Sequence, residues 1–125
     1  MTTIRVKENE PFDVALRQIA DDVFVAPQLD AAAIAELARL GFRSVVNNRP
    51  DFEGGPDQPT DAQMRAAAEA AGLQYRFLPV NSGWQSPEEI AAFARLLDEL
   101  PKPILAFCRS GARSTRLYAA ARSLG

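Results

Sequence analysis

Short apolar runs alternate with helix-start signals along most of this chain, and this alternation limits its fold more than any other feature. Four runs carry the β-branched and aromatic residues that favour strands. They are 23–26, 42–47, 74–80 and 104–107. A segment of helical pattern follows each run after a connecting stretch. The alternation predicts an α/β fold of three layers, with a mostly parallel central sheet flanked by helices.

Capping residues mark where the helices begin. Asp30 precedes a helix predicted over about 31–40, and Thr60 with Gln63 forms a capping-box pair that opens an alanine-rich helix. Ser86 is followed by proline and two glutamates, which is typical of a helix start. The last helix is predicted to begin at about Ala112.

The size of the chain predicts one domain over residues 1–125. It has 125 residues, of which 47% are hydrophobic, so it can bury a core of its own. Residues 1–20 carry little signal, and we expect them to add an edge strand around 16–19 or to stay loose. The sequence does not identify a protein partner.

Charge and composition exclude several classes of function. The net charge is −2, and no apolar run reaches the ~18 to 20 residues that span a bilayer, so neither nucleic acid nor membrane is an expected partner. The N-terminal residues lack the apolar core of a signal peptide, and one cysteine cannot form an internal disulfide. We therefore expect a cytoplasmic protein. Histidine is absent, which removes catalytic histidine dyads and triads and most zinc sites, so no metal and no cofactor are predicted.

The single cysteine, Cys108, directly follows the predicted strand 104–107 and precedes the last helix. In parallel sheets, ligands bind beyond the carboxyl ends of the strands, and Cys108 lies at such an end. A helix N-terminus carries about half a positive charge, and neighbouring arginines add more, so this thiol should ionise easily.

The residues after Cys108 are suited to hold a small anionic substrate. A strand-to-helix turn offers several backbone N–H donors, and Gly111 lets the backbone approach the anion closely. Arg113 adds a planar fork that can bind two oxygens. The predicted anion-binding loop comprises Arg109, Ser110, Gly111 and Ala112. The alternative is that Cys108 is an inert buried residue beside an ordinary turn and that the arginines are solvated. The presence of two arginines, two serines and a glycine within six residues of the cysteine disfavours this alternative.

Four segments of the chain together resemble one family. They read Val-Ala-Pro-Gln at 25–28, Val-Val-Asn-Asn-Arg-Pro-Asp at 45–51, Leu-Pro-Val at 78–80 and Cys-Arg-Ser-Gly-Ala-Arg-Ser at 108–114. The chain resembles the beta-lactamase hydrolase-like, phosphatase-like domain family from about residue 20 to its end. The resemblance implies a fold similar to that of dual-specificity and tyrosine phosphatases, and either phosphatase or sulfurtransferase activity.

Under the phosphatase interpretation, the resemblance implies three catalytic residues. Cys108 would be the nucleophile, Arg113 and the loop amides would stabilise the transition state, and Ser114 would donate a hydrogen bond to the leaving thiolate. Two features depart from the phosphatase pattern. Four residues rather than five separate Cys108 from Arg113, and the loop where those enzymes carry an acidic aspartate has none. Asp51 or Glu53 is a candidate acid from another loop.

Two other functions remain open. The shorter loop resembles that of rhodanese-like sulfurtransferases, in which the cysteine carries a persulfide and no general acid is required. Arg109 and Arg113 would then attract thiosulfate or another sulfur donor. The third hypothesis is a non-catalytic module that binds anions or senses redox state.

Five further residues are candidates for the pocket wall. They are Asn47, Arg49, Asp51, Asn81 and Trp84. Arg49 and the asparagines beside it follow a strand at the same sheet edge as Cys108, although the asparagines could instead cap the turn while Arg49 pairs with Asp51. Trp84 could close the pocket as a lid, but packing on its neighbouring helix is the favoured interpretation.

Overall fold

The computed structural model describes residues 3–7 and 13–124, which form a six-stranded sheet and four helices. The strands are β1 (Thr3–Lys7), β2 (Asp13–Ala20), β3 (Val23–Ala26), β4 (Ser44–Asn47), β5 (Gln74–Phe77) and β6 (Ile104–Phe107). The helices are α1 (Ala31–Arg39), α2 (Asp61–Ala70), α3 (Pro87–Glu99) and α4 (Ala112–Arg122).

The sheet has the order β1-β2-β3-β6-β4-β5. The strands β3, β6, β4 and β5 are parallel, whereas β1 and β2 form an antiparallel pair at one edge. Phe107 at the end of β6 is in register with Ala26 of β3 and Asn47 of β4. Because these three strands end at the same level, the residue after Phe107 lies in the middle of the sheet's carboxyl edge.

Helices cover both faces of the sheet, as the three-layer prediction required. One core cluster joins the sheet to α1 and α2, and the other joins it to α3 and α4. The side chains of β6 alternate between the two clusters, with Leu105 and Phe107 on one face and Ile104 and Ala106 on the other. A central strand buried on both faces reads as a continuous apolar run, which is why it was recognisable in the sequence.

Two strands are shorter than predicted, for local reasons. Phe42 belongs to the turn that ends α1, because its N–H donates to Leu37 across Gly41, whose φ is 97°. The predicted strand 74–80 ends at Phe77, because the pairing with β4 becomes irregular beyond it: the Leu78 N–H donates to Asn47 O at 2.9 Å, but the Val80 N–H then donates to Asn48 O at 3.1 Å instead of to residue 49.

A strand forms around 16–19, as β2, but it is longer than expected and does not lie at the edge of the sheet. The edge is β1, which was not predicted and pairs with β2 on its outer side.

Candidate active site

Cys108 lies at the centre of the sheet's carboxyl edge. Its side chain is buried, with 1% of the residue exposed, and its backbone N–H donates to Ala26 O at 3.3 Å. Three residues later, Gly111 adopts a φ of 95° directly before α4 begins at Ala112. This left-handed conformation is costly for residues with a side chain, so the tight turn between β6 and α4 needs glycine at this position.

The loop directs hydrogen-bond donors at the sulfur. The Gly111 N–H donates to Cys108 Sγ at 3.1 Å. Burial alone raises the pKa of this thiol, but the backbone and hydroxyl of Ser114 and the N–H groups of Gly111 and Ser110 outweigh it and lower the pKa. The cysteine is therefore disposed to be a thiolate, which is the nucleophilic form.

The Ser114 hydroxyl has two acceptors and a single hydrogen. Its Oγ lies 2.8 Å from Asn48 Oδ1, and the same hydroxyl can donate to Cys108 Sγ, where it lowers the thiol pKa. The orientation of the Asn48 amide is fixed, because its Nδ2 donates to Leu78 O at 3.0 Å. Ser114 and Asn48 are both fully buried, so bulk water does not compete for this hydrogen.

Arg113 is held behind the thiol with one donor to spare. Its Nη1 donates to Val80 O at 3.1 Å, and its Nη2 donates to Glu53 Oε1 at 3.0 Å. The residue is 4% exposed, and its buried Nε has no hydrogen-bond partner among the residues that the structure describes. A buried N–H without a partner costs free energy, so this donor is suited to an oxygen supplied by a bound ligand.

Glu53 ties two arginines together beside the thiol. Its Oε1 accepts from Arg113 and from Arg49 Nε, each at 3.0 Å. Partial burial raises the pKa of Glu53, but the hydrogen bonds and charges of the two arginines outweigh burial and lower the pKa. Glu53 is thus a carboxylate at neutral pH. It holds Arg113 in place. As a carboxylate it is poorly suited to be the general acid, a role for which the sequence made it a candidate.

The loop that carries Glu53 is fixed by its own side chains. Gln58 is buried, accepts from Gly54 N at 2.7 Å and donates to Pro50 O at 2.8 Å. Arg49 also donates to Gln28 Oε1 at 3.1 Å, and the Gln28 N–H donates to Arg109 O at 3.2 Å. These bonds connect the Glu53 loop to the cysteine loop through Gln28.

A cavity of about 290 Å³ opens over the sulfur, and we call it the thiol cavity. Its lining consists of Glu53, Ser82, Cys108, Arg109, Ser110, Ala112, Arg113 and Arg116. Three of these side chains are cationic, and Glu53 is the only carboxylic acid among them. The cavity is therefore suited to a small anion and offers no protonated acid to a leaving group.

Two of the candidate wall residues serve the turn after β4 rather than the cavity. Asn47 is buried, where it accepts from Arg49 N at 2.9 Å and donates to Tyr75 OH at 3.1 Å. Asp51 accepts from Asp61 N at 2.7 Å and thereby satisfies the start of α2. Arg49 pairs with Glu53 rather than with Asp51, the partner that the turn-capping alternative gave it, and it is not among the side chains that line the thiol cavity.

The loop 81–85 also departs from expectation. Asn81 is exposed and accepts from Gly83 N at 2.7 Å, which makes it a turn residue outside the thiol cavity. Trp84 is 68% exposed, so the prediction that it packs on its neighbouring helix was wrong. It is not among the cavity-lining side chains, and the structure gives no support to a lid role.

Arg116 and Asn48 are the site residues that the sequence interpretation undervalued. Arg116, which was not among the predicted site residues, lines the thiol cavity and donates to Ser82 O at 2.8 Å. Its position three residues after Arg113 on one helix was the available signal, because residues at that spacing share a face. Nothing local to Asn48 indicates that it contacts Ser114, 66 residues away.

Neither a metal centre nor a membrane span is found in the part of the chain that the structure describes. No group of three or more cysteine and carboxylate side chains there could hold a metal ion. No helix among the same residues is both long and apolar enough to cross a bilayer.

Comparison with known proteins identifies relatives of this arrangement. The family model described as beta-lactamase hydrolase-like protein, phosphatase-like domain, matches residues 15–125. The beta-lactamase hydrolase-like protein of Agrobacterium fabrum is 36% identical over 107 residues, which are 86% of this chain and 25% of that protein. The protein of that name from Xylella fastidiosa is 37% identical over 101 residues, 81% of this chain and 23% of that protein. This chain thus spans about a quarter of the length of these relatives.

Solved structures show the same fold. A candidate phosphatase from Neisseria meningitidis superposes with a TM-score of 0.78 and 30% identity, over 86% of this chain and 75% of that one. The structure described as Tk-PTP in its active form gives a TM-score of 0.61 at 20% identity, over 87% of this chain and 81% of that one. The predicted α/β fold of the cysteine-phosphatase type is confirmed.

Proposed function

Because the chain belongs to the phosphatase-like domain family of beta-lactamase hydrolase-like proteins, we propose that it is a cysteine-dependent phosphatase domain that hydrolyses small phosphate esters. The observation that carries the proposal is the pairing of a thiol of lowered pKa with a buried guanidinium that keeps one free donor. Such a site offers a nucleophile and a partner for phosphate oxygens within one cavity.

In the proposed first step, the Cys108 thiolate attacks phosphorus and the ester P–O bond breaks. The leaving oxygen departs with the bonding electrons, and a cysteinyl phosphate remains. The N–H groups of the loop and Nε of Arg113 stabilise the negative charge on the three non-bridging oxygens. In the second step water attacks phosphorus, the S–P bond breaks, and inorganic phosphate and the thiolate are released. Ser114 donates a hydrogen bond to the departing sulfur, which leaves as the thiolate.

The thiol cavity predicts which esters react well. Its one carboxyl group, on Glu53, is ionised and engaged by two arginines, so it has no proton to give. The leaving oxygen must depart as an anion or take its proton from solvent. Aryl phosphates, whose phenolate leaving groups are stable anions, should therefore turn over faster than alkyl phosphates.

Hydrolysis of 4-nitrophenyl phosphate tests the proposal. We expect turnover by the natural chain, none by Cys108→Ser, and a loss of about 10²- to 10³-fold in Arg113→Lys, because lysine lacks the planar fork. Arg122→Lys, an exposed position on the same helix, is the matched control and should be unaffected. Turnover that survives Cys108→Ser would overturn the mechanism.

Sulfur transfer is the second candidate, favoured by the four-residue spacing between Cys108 and Arg113 and by a cavity that lacks an acid. Here the thiolate attacks the outer sulfur of thiosulfate, the S–S bond breaks and sulfite leaves, so that Cys108 carries a persulfide. Intact mass after exposure to thiosulfate should then rise by one sulfur atom. An unchanged mass, with no thiocyanate formed from cyanide, excludes this candidate.

The third candidate, a module that binds anions or senses redox state without catalysis, predicts neither turnover nor a persulfide. Both catalytic candidates need a free thiolate as the nucleophile, so we propose that the domain works in a reducing compartment, as the cytoplasmic expectation implies.

A further inference from the structure

A second cavity adjoins the thiol cavity and shares part of the cysteine loop as its lining. Its volume is about 330 Å³, and we call it the Arg17 cavity. Its lining consists of Ala15, Arg17, Val25, Ala26, Pro27, Ser110, Gly111 and Ala112. Ser110 and Ala112 line both cavities and are exposed, so they form a rim that a bound molecule can cross.

Arg17 is held at this cavity by a directed hydrogen bond. Its Nη2 donates to Thr115 Oγ1 at 2.9 Å, and Thr115 Oγ1 lies 2.8 Å from Gly111 O. The only hydrogen of the threonine hydroxyl is thus used on Gly111, which leaves Oγ1 as an acceptor for Arg17. The contact fixes the guanidinium beside the first turn of α4, but a neutral hydroxyl does not compensate its charge.

The rest of the lining is apolar. Val25 and Ala26 end β3, Pro27 follows them, and Ala15 lies on the neighbouring strand β2. An apolar wall with one cation at its edge complements an apolar group that ends in an anion. The volume is at the small end of ligand pockets, which run from about 300 to 1,000 Å³, so the group must be compact.

We propose that the Arg17 cavity is a substrate subsite that takes the organic part of the phosphate ester and recognises a terminal carboxylate through Arg17. This inference rests on the proposed phosphatase function. In an in-line displacement the leaving oxygen points away from the sulfur. The group attached to it then crosses the rim of Ser110 and Ala112 and places its carboxylate against the guanidinium. The substrate class is a compact, carboxylate-bearing phosphate ester.

Direct binding tests the subsite without requiring turnover. The probes are two phenyl phosphates whose rings carry the same short arm, ending in a carboxylate in one and in its methyl ester in the other. Their affinities are measured by calorimetry on the full chain with Cys108→Ser, which cannot form the cysteinyl phosphate. We expect the carboxylate probe to bind about tenfold more tightly than the methyl ester probe. A second substitution in the same protein, Arg17→Met, should remove that preference. Methionine keeps a long apolar stem, and the variant's unfolding temperature checks that it folds.

Arg122→Met is the control, because it also removes an exposed arginine, but from α4 and outside the lining of the Arg17 cavity, and it should keep the preference. Equal affinities for the two probes, or a preference that survives Arg17→Met, would overturn the subsite. Turnover of both probes by the natural chain is measured in parallel. Cys108-dependent turnover of both probes, with no effect of Arg17→Met on the carboxylate probe, refutes the subsite alone, whereas absent turnover of both probes refutes the phosphatase function.

Discussion

The Ser114 hydroxyl donates its hydrogen to Asn48 Oδ1 at 2.8 Å in the core, and the same hydroxyl is among the groups that lower the pKa of Cys108, which makes Sγ a second acceptor for that hydrogen. The two acceptors compete for it. Asn48 therefore controls whether the Ser114 hydroxyl hydrogen is available to the sulfur. Its own side chain bonds to Leu78 O and Ser114 Oγ and not to the sulfur.

This competition predicts shifts of opposite sign in the Cys108 pKa. Ser114→Ala removes the donor and should raise it, whereas Asn48→Ala removes the rival acceptor and should lower it. The rate of alkylation by iodoacetamide as a function of pH measures both. Asn48→Ala also leaves Leu78 O without its donor, which costs about 1–3 kcal/mol, so urea unfolding must show a folded variant. Shifts of the same sign in both variants would contradict the competition.

The lowered pKa of Cys108 also predicts how stability depends on pH. A group whose pKa is depressed on folding contributes stability that is complete above its unfolded pKa and is lost as pH falls through the folded pKa. The free energy of unfolding of the natural chain, minus that of Cys108→Ser, should therefore rise with pH up to the ordinary thiol range. Each unit of depression corresponds to about 1.4 kcal/mol. A difference that stays flat from pH 5 to about 9 would show that the loop does not favour the thiolate.

Glu53 is predicted to position Arg113 rather than to donate a proton. Glu53→Gln keeps the shape of the side chain but weakens its hold on both arginines, so kcat/KM for an aryl phosphate should fall by about tenfold, or about 1.4 kcal/mol. The shape of the pH–rate profile should not change. Loss of a descending limb at alkaline pH in this variant would instead identify Glu53 as the acid.

How much of this site was predictable depended on the sequence distance between partners. The capping boxes of Thr60 with Gln63 and Ser86 with Glu89 formed as predicted, because each closes over three residues. The parallel sheet followed from the continuous apolar runs, and it placed Cys108 at the carboxyl edge. These features depend on local pattern and on the general rules of parallel sheets.

The partners of Arg113 could not be predicted in that way. Its contacts with Val80 and Glu53 join residues 33 and 60 positions away, and only the assembled sheet brings their loops together. The prediction that Trp84 packs on its neighbouring helix was wrong for a different reason. An aromatic side chain indicates burial on average, but the turn at Asn81 and Gly83 directs this one into solvent.

Gly111 offers the sharpest test of the loop geometry. Its φ of 95° costs a residue with a side chain about 1–2 kcal/mol, whereas the added methyl group would lie 3.5 Å from the Ala26 carbonyl, an ordinary contact. Gly111→Ala should therefore fold with a modest loss of stability. The strained turn should relax and draw the N–H of residue 111 away from Sγ, which raises the Cys108 pKa and lowers aryl phosphate turnover.

Gly41→Ala is the matched control, because its φ of 97° imposes the same backbone cost in open space far from the sulfur along the chain. Urea unfolding should show similar losses of stability in the two variants, and alkylation across pH should show a raised thiol pKa only in Gly111→Ala. If both variants leave the thiol pKa unchanged, the N–H of residue 111 does not stabilise the thiolate. The lowered pKa would then depend on Ser114 and the remaining loop amides.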